Sequence, residues 1–230
     1  MQLINSPDAA SFPAVEKAIQ SERLQRYMPA AKNDKALAFK YYLWNCKISE
    51  AFYLPLHFCE ILCRNAIHNQ LLYRLGNEWH NHSSFKNLLD PSYRRELEEA
   101  VTDEHSQHGD DMTPHHVVSA LHFGFWEHVT TKRFQRLVWH YGIHDNFPGA
   151  HFSKKREDLR GLIESARRWR NRIAHHNAVF DKAPTRKYQD AMDLIRWSCP
   201  TTHKWVLSVS EVQEAINSRP VDPNDSQIEE

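Results

Sequence analysis

The chain has 230 residues, enough for one domain with a sizeable core, and its 29 Lys+Arg balance its 29 Asp+Glu. That balance excludes attraction of a polyanion by net charge, so nucleic-acid binding would need a local patch or protonation among the 16 histidines. Six glycines are too few for turn-rich β architecture. The four cysteines, Cys46, Cys59, Cys63 and Cys199, show no zinc-ribbon spacing. No apolar run reaches about 18 residues and no export signal precedes the first helix, so the expectation is a reduced, cytoplasmic protein without a membrane span. In that setting Asn81-His82-Ser83 is a glycosylation sequon by chance.

In chain order, Ser11 and Pro13 open a first helix through Ala14 to Met28. Two helical stretches follow at 33–53 and 56–75, with Pro55 at a kink or junction and Gly76 as the stop. A His- and Asn-rich loop, 77–84, leads to a short segment at Phe85 to Leu89. Pro91 opens the charged stretch Ser92 to His105, and Thr113-Pro114 caps a helix running to about Val129. Lys132 to Tyr141 reads as a short helix. The long one runs from an Ser153 cap to roughly His176. A helix to Ser198 and shorter ones through Asn217 complete an all-α domain over 1–218, with its motif-bearing core at about 35–200. The segment 219–230 is an acidic tail expected to be disordered.

The stretch "RWRNRIAHHNAVF", residues 168–180, concentrates ionisable groups at a helix end. On a helix, Leu159, Ile163, Ala166 and Ala174 fall within about 40° of Arg170, with Arg167 and Arg168 on the flanks. Arg170 is therefore expected to face inward, which requires an acidic partner. His175 and His176 lie about 140° and 120° to either side of it. A second ladder, His57, Glu60, Arg64 and His68, runs down the helix at 57–72 within about 40° of one line, flanked by apolar residues. Glu60 is the first choice to neutralise Arg170. Its replacement by Ala is then expected to cost on the order of 3 kcal/mol, the penalty of an unpaired buried charge.

Arg170-Asn171-Arg172-Ile173-Ala174-His175-His176 resembles the Arg-x4–6-His motif of the HEPN superfamily, and more closely its Abi-like branch, abortive-infection proteins of the AbiD/AbiF type. Two further blocks, 42–71 and "ALHFGFWEHV" at 120–129, support the resemblance in order and separation. It implies a HEPN-like helical bundle with extra peripheral helices, a homodimer whose motif helices meet at a composite cleft, and RNA cleavage without a metal by a toxin or phage-defence effector. An antitoxin RNA or protein is a further implied partner. Arg170 and His175 match the catalytic pair, with Asn171 as its polar neighbour and His176 as an alternative base. Glu60, Arg64, Asn65, His68 and Arg172 would bind RNA or support the site. Asn177 stands where many relatives carry an acid.

Such chemistry uses the RNA 2′-OH as nucleophile, histidine as base and acid, and a guanidinium to stabilise the charge gathering on phosphorus. The alternative is a non-catalytic HEPN-like module that binds RNA or protein. The histidine pairs at His80/His82, His105/His108 and His115/His116 join no carboxylate or Cys in a recognisable ligand set, so no metal and no cofactor is expected. The block His122 to Trp126 reads as helix packing, with Gly124 permitting close approach.

Overall fold

The structure, a computed structural model, describes residues 5–221; most of the tail expected to be disordered lies outside them. The described residues form α-helices and short 3-10 turns, with no strand among them, so the chain is all-α. They fold as two compact units interleaved along the chain. The first comprises the residues up to Leu54, Asn171–Tyr188 and the residues from Ser210 on; the second comprises Pro55–Arg170 and Gln189–Val209.

The first unit begins with α1 (Phe12–Ile19) and α2 (Ser21–Gln25), where one helix to Met28 was expected. Gln20 separates them with φ 70°, a left-handed conformation that no continuing helix accepts. Next comes α3 (Lys35–Ala51), capped by Asp34, whose carboxylate accepts the Leu37 N–H at 2.6 Å. Phe180 lies against Tyr27, Tyr41 and Trp44 at ring separations of 5.1, 5.8 and 6.0 Å. The Trp44 indole N–H donates to the Ala215 carbonyl at 2.8 Å, fastening α12 (Val212–Asn217) to α3.

The other helices are α4 (Tyr53–Leu75), α5 (Ser83–Lys86), α6 (Pro91–His108), α7 (Pro114–Ala120), α8 (Phe123–Val129), α9 (Arg156–Ala174), α10 (Pro184–Ser198) and α11 (Pro200–Val209). Pro55 sits in the first turn of α4, where its missing N–H costs no helical bond, and it does not kink the helix. The expected junction is present, with the break at Phe52 and the second unit starting at Pro55. In the second unit, Trp79, Phe85, Trp126, Phe134 and Trp139 are fully buried and form the centre of the core. The helix expected from Thr113 to Val129 is broken at Leu121 and His122, both extended, and the His122 N–H is taken by Glu96 at 2.8 Å. The stretch 132–141 yields one 3-10 turn, Lys132–Phe134, in place of the expected helix. Helix α9 starts three residues after the expected Ser153 cap, and the Lys155 N–H is taken by Asp158.

Two glycines in this unit have opposite settings. A Cβ on Gly149 would lie 1.9 Å from the Arg196 carbonyl oxygen, because the Gly149 N–H is held on the Trp197 carbonyl at 3.0 Å. A Cβ on Gly161, within α9, would meet nothing within 4 Å. Gly149→Ala should lose at least about 2 kcal/mol of stability through overpacking against fixed backbone. Gly161→Ala should gain roughly 0.5–1 kcal/mol by lowering the entropy of the unfolded chain. Urea unfolding of both variants checks the pair; equal midpoints would refute the close approach at Gly149.

Candidate functional site

Helix α9 ends at Ala174, and the chain leaves it through a turn that closes on itself. The His176 N–H donates to the Ile173 carbonyl at 2.8 Å and the Asn177 N–H to the Arg172 carbonyl at 3.0 Å. With His176 at φ 54°, this is a Schellman motif in which histidine occupies the position usually given to glycine. The Arg172 Nε–H donates to the Ala178 carbonyl at 2.7 Å, so this guanidinium fastens the turn. Buried Asn45 accepts the Val179 and Phe180 N–H groups on one carboxamide oxygen, at 2.6 and 3.2 Å. Arg23 donates to the His176 carbonyl at 3.2 Å, and Arg26 pairs with Asp181. The exit of the motif is thus held at successive points, and both His175 and His176 are exposed on it. Asn171 is half-buried.

Arg170 and Glu60 are paired as expected, Nε to Oε2 at 3.6 Å, but Arg170 does not face inward: 47% of its side chain is exposed. The buried flank of α9 runs through Arg156, Leu159, Ile163, Ala166 and then Trp169. Trp169 takes the inward position of the last turns, and Arg170, about 100° further round, turns to solvent. The pair is therefore worth under about 1 kcal/mol, not the larger figure expected for a buried charge. Arg64 is half-buried with no hydrogen-bond partner for its Nε, and Asn65 is exposed.

His68, from the same ladder, is a core residue at 1% exposure and cannot present a charge to phosphate. Its ring packs edge-on against Trp79 and His115, and neither ring nitrogen has a hydrogen-bond partner. Burial, with His115 and His80 nearby, lowers its pKa to about 4.

The buried acid expected of an inward arginine exists elsewhere. Glu127 on α8 is 8% exposed, pairs with Arg167, and has Arg160 at 3.9 Å. Arg156 is buried at 5% and donates to the Thr130 carbonyl and to Gln135. Sequence reasoning missed Asn45 and Glu127. The signal for Asn45 was present: it shares the buried face of α3 with Tyr41 and Ile48, at four and three residues' distance. Gly124 behaves as expected, its Cβ position lying 3.3 Å from the Tyr93 hydroxyl. Among the described residues, Glu104, His108 and His116 stand close enough to share a metal ion, and none belongs to the 168–180 stretch.

Comparison with protein-family models, with curated proteins and with solved structures gave no match to this chain.

Two expectations follow from this geometry. Replacing His176 by Gly should stabilise the protein by about 0.5 kcal/mol or more, since glycine adopts the left-handed conformation without strain; a lower melting temperature would refute the Schellman assignment. The second concerns acid. Below pH 6.5 the unfolded chain gains a proton that folded His68 takes up only near pH 4. Stability is thus full above pH 6.5 and falls toward pH 4 by on the order of 3 kcal/mol from this group. His68→Leu should flatten that loss in denaturant titrations at several pH values, with His80 and His128, also lowered by burial, leaving a residual slope. An unchanged slope would show that His68 protonates within the fold.

Proposed function

We propose that this protein is a metal-independent endoribonuclease with a HEPN-like bundle of the Abi-like type, acting in the cytoplasm as a toxin or phage-defence effector. The observation that carries this is the state of the motif: His175 and His176 are exposed on a turn held at successive points, and Arg170, earlier on the same helix, is exposed as well. A guanidinium fixed by one carboxylate and two accessible imidazoles is the minimum set for transesterification at phosphorus. His175 or His176 takes the 2′-OH proton, Arg170 stabilises the negative charge of the transition state, and a histidine protonates the departing 5′ oxygen. The products are a 2′,3′-cyclic phosphate and a 5′-OH. A second copy of the chain would supply a second Arg-His pair, which is the chemical reason to expect a homodimer. An antitoxin RNA or protein belongs to the same proposal. No helix among the described residues is long and apolar enough to cross a membrane.

One observation favours the alternative, a non-catalytic HEPN-like RNA- or protein-binding module. Glu60 already balances Arg170, as in a structural ion pair. Incubation of the protein with single-stranded RNA in EDTA separates the two. Cleavage with cyclic-phosphate ends is expected, lowered on the order of 100-fold or more in Arg170→Ala and in His175→Ala without loss of folding. His176→Gly then assigns the roles, leaving activity intact only if His175 and the His175 of a second copy serve as base and acid. Activity abolished by chelation, 3′-OH ends, or cleavage indifferent to Arg170 would overturn the proposal.

A further inference from the structure

The histidine pairs of the sequence were expected to lack a carboxylate, yet the fold brings one to them. Glu104 and His108 lie four residues apart on the last turns of α6 and so share a face. The chain then reverses through a 3-10 turn at Gly109–Asp111, with Gly109 at φ 55°, and α7 returns along α6. His116, in the first turn of α7, arrives beside them. Its ring stacks on that of His108 with centroids 3.9 Å apart and planes 14° from parallel, while His108 Nε2 lies 3.3 Å from the Glu104 carboxylate. One ligand atom from each of the three residues falls within 4.8 Å of the others.

We propose that Glu104, His108 and His116 bind a divalent transition-metal ion of the zinc class, which staples α7 to the end of α6. This goes beyond the ribonuclease proposal, shares no residue with it and does not rest on it. Around a tetrahedral ion with bonds of about 2.0 Å, ligand atoms stand roughly 3.3 Å apart. Side-chain rotation closes the difference, and the ring of His108 and carboxylate of Glu104 are 38% and 17% exposed, so neither is locked in a core. Two imidazoles and one carboxylate select a borderline ion over magnesium or calcium, which take all-oxygen shells. The fourth position falls to solvent.

One contact must be released. His116 Nδ1 accepts the Thr113 N–H at 3.1 Å, which places the proton of the neutral ring on Nε2. Ligation through Nε2 moves that proton to Nδ1, and the Thr113 N–H turns to water. Thr113 is exposed, so this exchange is inexpensive. The metal and the start of α7 thus compete for one ring, and the ion compensates by tying α7 to α6 directly.

The test is calorimetric titration of the metal-stripped full chain with zinc chloride, alongside thermal melting with and without the ion. One equivalent is expected to bind and raise the melting temperature, with no response to magnesium. Glu104→Ala and His108→Ala should each weaken zinc binding by more than about tenfold while melting like the parent without metal. These two carry the test, because His116→Ala also removes the bond that starts α7. A His175→Ala, His176→Gly chain should keep full affinity, which separates this site from the motif histidines. Zinc binding that both α6 variants retain, or no binding at all, would overturn the site. Cleavage of RNA in EDTA is indifferent to either result, so the two proposals fail independently.

Discussion

A buried carboxylate fixes the roll of the helix on which the motif depends. Glu127 is held by Arg167 with Arg160 nearby, two residues of α9 separated by about two turns. A charge so placed is tolerated only when paired, so α9 cannot rotate about its axis without stranding it. With that roll set, Leu159, Ile163, Ala166 and Trp169 go inward and Arg170 goes outward to Glu60. The pair on the buried carboxylate is what makes the exposed pair available.

How much of this was legible in the sequence depends on whether local or distant contacts decided it. Helical periodicity, Gly76 and Pro91 act over one or two turns, and the class and most helix positions follow from such signals. Two helices drawn too long failed in different ways, only the second with a tertiary contact behind it. Gln20 turns left-handed, and His122 gives its N–H to a glutamate 26 residues away. No window of sequence contains such a contact.

The case of Arg170 is more instructive. An ideal projection assumes one fixed stripe over nineteen residues, whereas the buried flank of α9 drifts toward Trp169 in its last turns. The inference that an inward arginine needs an acid was sound: buried Arg156 pairs with Glu157 and donates to a carbonyl and an amide as well, and Arg167 meets buried Glu127. The partnership of Glu60 with Arg170 was legible from Glu60 being the acid on the ladder at 57–72, although Arg64, four residues on, offered a competing surface pair. His68 shows the opposite failure: angular position on a helix says nothing of depth, and one ladder runs from exposed His57 to fully buried His68.

The interleaving of the two units has a consequence for how the protein is made. The chain passes between them after Leu54, Arg170, Tyr188 and Val209, so neither unit is a continuous stretch. Synthesis delivers the whole of the 168–180 motif well before Ser210, yet the first unit still lacks α12 and the carbonyl that receives Trp44. The nascent chain therefore carries its full set of motif side chains on an unfinished support. Domains fold as units while the ribosome advances at about 5–20 residues per second. The second unit can close once α11 has emerged, and the first closes last. An order of completion is written into the path of the backbone, with α12 reaching Trp44 only at its final step.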